Sequence, residues 1–152
     1  MQTRRDMLAR SASVAAALAG LGLLPQAAHA NWSQAAFEAK AMGDLMKALG
    51  TSGPAESKDV TITGPDIAEN GAVVPVGAAT TLPNVKRLLL LVEKNPNMLA
   101  AIFDVTDAVE ANISTRVKMG QSSNVFAVAI TGDNKVLYAV KEIKVTLGGC
   151  GG

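Results

Sequence analysis

From residue 60 onward, apolar and polar positions alternate with a period of two. Ile113, Thr115, Val117 and Met119 fall on one side of such a run, and Ser114, Arg116 and Lys118 on the other. Successive side chains of a strand point to opposite faces, so this pattern predicts a strand with one buried face. The same alternation and a β-branched composition predict strands near Val60–Thr63, Ala72–Gly77, Lys86–Glu93, Leu99–Val105, Ile113–Met119, Val125–Thr131 and Val136–Leu147. Gly132-Asp133-Asn134-Lys135 separates the last two as a hairpin connection. Pro75 lacks a backbone N–H and places its strand at an edge or a bulge. Asn70-Gly71 predicts a tight turn, with Gly71 at positive φ. Short strands at roughly ten-residue spacing, with no helix between them, predict a mainly β chain folded as an antiparallel β-sandwich.

The pattern before residue 50 is different. Phe37, Ala41, Leu45 and Leu49 recur every four residues and predict one helix over Asn31–Leu49. Ser33 is its expected N-cap and Gly50 its expected C-cap, while Gly43 weakens the interior. Its polar face (Glu38, Lys40, Asp44, Lys47) is mixed in sign, so the helix is expected to pack on its own domain. Residues 51–58 read as a polar linker.

Residues 1–30 read as an export signal rather than as part of the fold. Arg4-Arg5 precedes an apolar stretch, Ser11–Leu24, too short to span a membrane, and Ala28-His29-Ala30 has the small-x-small pattern of a cleavage site. Thr3-Arg4-Arg5-Asp6-Met7-Leu8 resembles the twin-arginine export motif, with Met7 where that motif usually carries Phe. The expected organisation is a signal at 1–30, a sandwich domain with its N-terminal helix at 31–147, and a tail at 148–152. Without residues 1–30 the chain keeps 11 of its 14 basic and 12 of its 13 acidic residues. A net charge near −1 argues against nucleic acid as a partner. The expected location is the periplasm. Twin-arginine export generally carries folded proteins, so export together with a signal-less partner is expected.

The tail carries the candidate chemistry. The chain closes with Leu147-Gly148-Gly149-Cys150-Gly151-Gly152, and Cys150 is its only cysteine. Glycines on both sides supply no packing atoms and permit nearly every backbone conformation, so the tail reads as a thiol on a flexible tether. Cys150 lies about 10 Å past Leu147 when the tail is extended. Exported chains usually pair their cysteines, and an odd one signals intermolecular pairing or a reactive thiol. An unperturbed thiol titrates at about 8.5, and no Lys, Arg or His is near Cys150 in sequence, so ionisation is expected to be assisted by a partner. The only histidine, His29, leaves with the signal. No zinc finger, haem attachment, iron–sulfur site, Cys–His pair or Ser–His–Asp triad can then be built from this chain alone. No metal and no cofactor are expected. Glu69, Asp104, Asp107 and Glu110 read as solvated turn or cap residues rather than acid–base catalysts. Trp32 and Tyr138 read as packing or partner contacts, and Met42, Met46, Met98 and Met119 as core filler.

Several of these segments carry a family resemblance. The twin-arginine signal, Glu69-Asn70-Gly71 leading into Val74-Pro75-Val76, Glu93-Lys94-Asn95-Pro96, Arg116-Val117-Lys118-Met119 and the run from Val145 to Gly152 resemble the Y-subunit family of the sulfur-oxidation (Sox) carrier complex. The terminal Gly-Gly-Cys-Gly-Gly is the most specific of them. The resemblance implies an immunoglobulin-like sandwich and a heterodimer with a Z subunit (SoxZ). It implies a non-enzymatic, covalent carrier role in periplasmic thiosulfate oxidation. Cys150 would be the sulfur attachment site, and Gly148, Gly149, Gly151 and Gly152 the swinging arm. The implied partners are a c-type cytochrome (SoxAX) that joins thiosulfate to the thiol, a thiosulfohydrolase (SoxB) that releases sulfate, and, where present, a sulfane dehydrogenase (SoxCD). The run Leu88–Val92, apolar on both faces, is a candidate surface for the Z subunit.

Two other functions use the same tail. A ubiquitin-like sulfur carrier would be activated at a terminal Gly-Gly carboxylate, but adenylation needs cytoplasmic ATP, which the export signal opposes. A secreted binding module would use Cys150 only to staple a homodimer.

Overall fold

The computed structural model describes Arg4, Arg5, Met7, residues 33–51 and residues 53–147. The chain divides into two units, Met1–Trp32 and Ser33–Gly152. In the first, Arg4, Arg5 and Met7 are helical and exposed. The proposed signal otherwise lies outside the described residues. So does the whole tail from Gly148 to Gly152.

The second unit begins with two short helices, α1 (Gln34–Glu38) and α2 (Met42–Ala48). Nine strands follow: β1 (Ala55–Glu56), β2 (Val60–Thr63), β3 (Ile67–Ala68), β4 (Val74–Thr80), β5 (Val85–Val92), β6 (Leu99–Asp104), β7 (Asn112–Val117), β8 (Ser123–Thr131) and β9 (Val136–Val145). They form two sheets, one ordered β1-β9-β8-β5-β6 with β3 also on β9, the other ordered β2-β4-β7. The long ladders are antiparallel, as the alternation predicts. The two-residue strands β1 and β3 are additions, and both pair parallel with β9. The fold is thus a mainly β sandwich of the immunoglobulin-like kind.

Two apolar layers hold it together. Leu88, Leu90 and Val92 of β5, Val125 and Ala127 of β8 and Ile143 of β9 meet Val74, Val76 and Val117 of the smaller sheet. On the opposite face of the larger sheet, Leu89 and Leu91 of β5 and Val128 and Ile130 of β8 are covered by Ala36, Leu45 and Met46 of the helices. All five residues from Leu88 to Val92 are 0% exposed. This corrects their nomination as a partner surface. A run apolar on both faces is what a central strand with both sides covered requires.

The single helix expected over Asn31–Leu49 is also corrected. Ala39 and Ala41 are both extended (ψ 131° and 150°), which separates α1 from α2. The Ala39 carbonyl accepts the N–H of Met98 at 3.3 Å, a bond to the loop entering β6. The break also changes what is buried. Ala36, Ala39, Leu45 and Met46 face the sheet, while Ala41, a member of the expected stripe, is exposed. Ser33 caps as expected, whereas Leu49 rather than Gly50 is the C-cap. The Ser33 hydroxyl accepts the N–H of Ala36 at 3.3 Å. Gly50, at φ +68°, follows the C-cap, and the N–H groups of Gly50 and Thr51 bond the carbonyls of Lys47 and Met46. That left-handed closure suits a residue without Cβ.

Pro75 lies in the middle strand of the smaller sheet but past the end of β2. Only Gly77–Thr80 of β4 face β2, and Pro75 pairs with Arg116 of β7 alone. Locally it is an edge residue. Gly77 is the opposite case, flanked by Thr63 and Ser114. A Cβ there would stand 2.5 Å from Thr63 Oγ1 and 2.9 Å from the Ile113 carbonyl oxygen, which is backbone and cannot rotate away. Gly77→Ala is expected to destabilise the fold by about 1–3 kcal/mol, as overpacking does. Urea unfolding measures it, and a loss below about 0.5 kcal/mol, the size of an ordinary surface substitution, would contradict the close packing of β2, β4 and β7.

Candidate functional site

Cys150, Gly148, Gly149, Gly151 and Gly152 lie outside the described residues, so the geometry available is that of the base they leave from. That base is the end of β9, and it is held from both sides. Regular pairing with β8 stops at Ser123 opposite Ile143. Beyond it, the Ser122 hydroxyl takes the place of main chain: the Val145 N–H donates to Ser122 Oγ at 2.9 Å, and Ser122 Oγ donates to the Val145 carbonyl at 3.4 Å.

On the other side, β3 and the turn after it continue the sheet. The Lys144 N–H donates to the Asp66 carbonyl and the Thr146 N–H to the Ala68 carbonyl, at 3.0 and 3.1 Å. Thr146 Oγ1 donates to the Glu69 carbonyl at 3.0 Å, and the Gly71 N–H donates to the Leu147 carbonyl at 2.7 Å. The Asn70-Gly71 turn forms as expected, with Asn70 Oδ1 accepting the Ala72 N–H at 2.9 Å. Gly71 does not have positive φ, however. It is buried between strands, and its role is to place an N–H and a C=O on opposite neighbours.

Around this base the surface is apolar and lightly charged. Leu147 is 66% exposed and Ile67 58%. Lys141 and Asp66 form an ion pair at 2.7 Å. The Lys141 ammonium hydrogen-bonds the Asp66 carboxylate and holds its pKa below the ordinary carboxylate value. A depressed carboxylate pKa stabilises the fold above the carboxylate range and loses that effect as pH falls through it. The pair is therefore intact at neutral pH. Its contribution is small because Asp66 is exposed.

The carboxylates Glu69, Asp104, Asp107 and Glu110 are exposed, and Asp107 and Glu110 line one cleft. Asp104 pairs with Arg87 at 3.1 Å. Among the described residues, no three His, Cys, Asp or Glu side chains are placed to hold a metal. Tyr138 packs edge-on against Phe126, ring centroids 5.7 Å apart, under the helical layer. Met46, Met98 and Met119 are core residues. Trp32 lies outside the described residues. A cleft of about 540 Å³ opens at the far end of β4 and β7, lined by Thr80, Asn112 and Asp107 among others. It is separated from Leu147 by the length of those strands. Ser122 and the Ile67–Ala68 strand were not legible as site residues. The alternation of Lys144 and Thr146 with Val145 was the one local signal that pairing runs to the edge of the tail.

The described residues define a two-sheet β-sandwich whose last strand is held as far as Leu147. The sequence model of the sulfur oxidation protein SoxY matches residues 45–150. The chain belongs to the SoxY family of sulfur-oxidation proteins. Among solved structures it is similar to the sulfur carrier protein SoxY from Chlorobium limicola f thiosulfatophilum. That match has 33% identity, covers 69% of this chain and 94% of that one, and has a TM-score of 0.61. A superoxide reductase (neelaredoxin) from Ignicoccus hospitalis is similar at 18% identity, with 57% and 79% covered and a TM-score of 0.51, a likeness of fold alone. A search of curated proteins found no match.

Proposed function

We propose that this chain carries sulfur covalently on Cys150 during thiosulfate oxidation, in the periplasm, after twin-arginine export with a Z subunit. The observation that carries this reading is the position of the only cysteine. It falls within the stretch matched to the family, five residues past Val145, where β9 ends fixed on both edges, and three past Leu147. Gly148, Gly149, Gly151 and Gly152 form the arm. No resident metal or cofactor takes part in this reading.

The chemistry balances in two steps. The Cys150 thiolate and thiosulfate join through a new S–S bond, and two electrons leave to a c-type cytochrome (SoxAX). Water then cleaves the S–SO₃ bond in a thiosulfohydrolase (SoxB). This releases sulfate and two protons and leaves a persulfide on Cys150. A sulfane dehydrogenase (SoxCD), where present, oxidises that sulfur. The thiol is intrinsically nucleophilic even when a few per cent is ionised, and a tether of three residues delivers it about 10 Å from Leu147.

Incubating the purified carrier with thiosulfate and the cytochrome, then weighing the intact chain, tests the reading. The expected result is a thiosulfate-derived adduct that alkylation of Cys150 prevents. An unmodified chain beside a fully reduced cytochrome would refute it. Disulfide dimer as the sole product would support the staple instead.

A further inference from the structure

Three segments singled out by the sequence have no part in the chemistry above, yet the structure joins them to the base of the tail. Asn95, in Glu93-Lys94-Asn95-Pro96, donates from Nδ2 to the Lys118 carbonyl at 2.8 Å and accepts the Gly120 N–H at Oδ1 at 3.2 Å. It thereby pins the crossing from β7 to β8. Within that crossing the Met119 N–H donates to the Gly71 carbonyl at 2.7 Å, and the Gly71 N–H donates to the Leu147 carbonyl at 2.7 Å. Ser122, two residues after Gly120, holds Val145 from the other edge. A continuous hydrogen-bonded relay therefore runs from Asn95 to the last residue before the tether.

We infer that Asn95, Gly71 and Ser122 are positioning residues that set the pivot of the arm at Leu147. The inference rests on the carrier reading. Its physical content is length. With the pivot at Leu147, the tether to Cys150 is three residues, about 10 Å. Without the relay β9 would still be held by β3 as far as Val145, and the tether would run five residues, about 17 Å. Effective concentration falls roughly as the −3/2 power of tether length, so the thiol would be diluted about two-fold at a docked partner's site. The relay keeps the arm short without requiring β8 to continue through the crossing. It joins main-chain groups directly and through the side chains of Asn95 and Ser122, and its partners lie far apart in sequence: Thr146 and Glu69, which add a further bond, are 77 residues apart.

The test is a deletion placed in three backgrounds of the full-length carrier: unaltered, Ser122→Ala and Ser122→Thr, with transfer of thiosulfate to Cys150 as the readout. Deleting Gly148 shortens the tether by about 3.5 Å and is expected to lower transfer about ten-fold or more, since small misplacements at a reacting centre cost this much. Ser122→Ala releases Val145 on the β8 side, while the bonds on the β3 side remain. In that background the same deletion is expected to cost at most about half as much as in the unaltered chain, because a base held on one edge lends slack to the tether. Ser122→Thr keeps the hydroxyl and is expected to behave as the unaltered chain. In parallel, amide exchange at Val145 should speed up in Ser122→Ala and not in Ser122→Thr, with Val128 unchanged. Asn95→Ala, which releases the relay from its outer end, serves where Ser122→Ala fails to fold. An equal cost of the deletion in all backgrounds overturns the inference, because the relay would then only brace the sheet. Transfer that survives Cys150→Ser is a different failure, that of the carrier reading itself.

Discussion

Cys150→Ser abolishes sulfur loading: that is the largest effect expected of any substitution in this chain. A hydroxyl oxygen cannot form the S–S bond through which thiosulfate would be held, and it is hardly ionised at neutral pH, whereas a thiol is a strong nucleophile even at a few per cent thiolate. No second cysteine exists to substitute for it. The fold is expected to tolerate the change, because it replaces one sulfur by one oxygen in a residue flanked by glycines that offer no side chain to pack on. Thiosulfate-dependent cytochrome reduction should fall to the rate seen without carrier, and the unfolding midpoint should stay where it is. Undiminished reduction would move the chemistry off the thiol. Lost reduction with a lowered midpoint would instead place Cys150 among the groups that stabilise the sandwich.

Truncation within β5 has the largest expected effect on stability. Leu89→Ala and Leu90→Ala each remove a fully buried side chain, one from beneath the helices and one from between the sheets. Each is expected to cost about 2–5 kcal/mol, the sum of lost transfer energy and the cavity left behind. The informative member is Leu89. An exposed leucine at a free partner surface would cost less than about 1 kcal/mol. Equal shifts in urea midpoint for the two variants would place α1 and α2 on the sheet in the isolated chain. A small shift for Leu89→Ala alone would return that face to a partner subunit.

Particular residues show how far local pattern reaches. Val60–Thr63 is a strand with the bounds its alternation predicts, and β7, β8 and β9 are off by no more than two residues at either end. Ser33 caps as expected, and the C-cap is Leu49 with Gly50 one residue past it in the left-handed closure, because a cap is a contact within one turn of chain. The Asn31–Leu49 helix fails for a nonlocal cause: the carbonyl of Ala39 serves Met98, 59 residues later, which no periodicity in residues 31–49 encodes. Leu88–Val92 was apolar on both faces in the sequence, but whether helices or another subunit covered the second face was decided by where α1 and α2 packed. Gly71 was legible as a turn residue and misread in conformation, since its value lies in two main-chain bonds to distant strands.

The sequence by itself determined the seven longer strands, the hairpin, the family motifs and the one thiol among glycines. Side-chain alternation follows from covalent strand geometry, and a nucleophile needs no fold to be identified. Only the tertiary structure decided that β3 and the Gly71 turn run beside the end of β9, that Ser122 completes its other edge, and that the chain is held as far as Leu147. Those are choices of hydrogen-bond partner. A backbone N–H looks the same at every position in a sequence, and the carbonyl it finds depends on which segments the packed core has brought within reach.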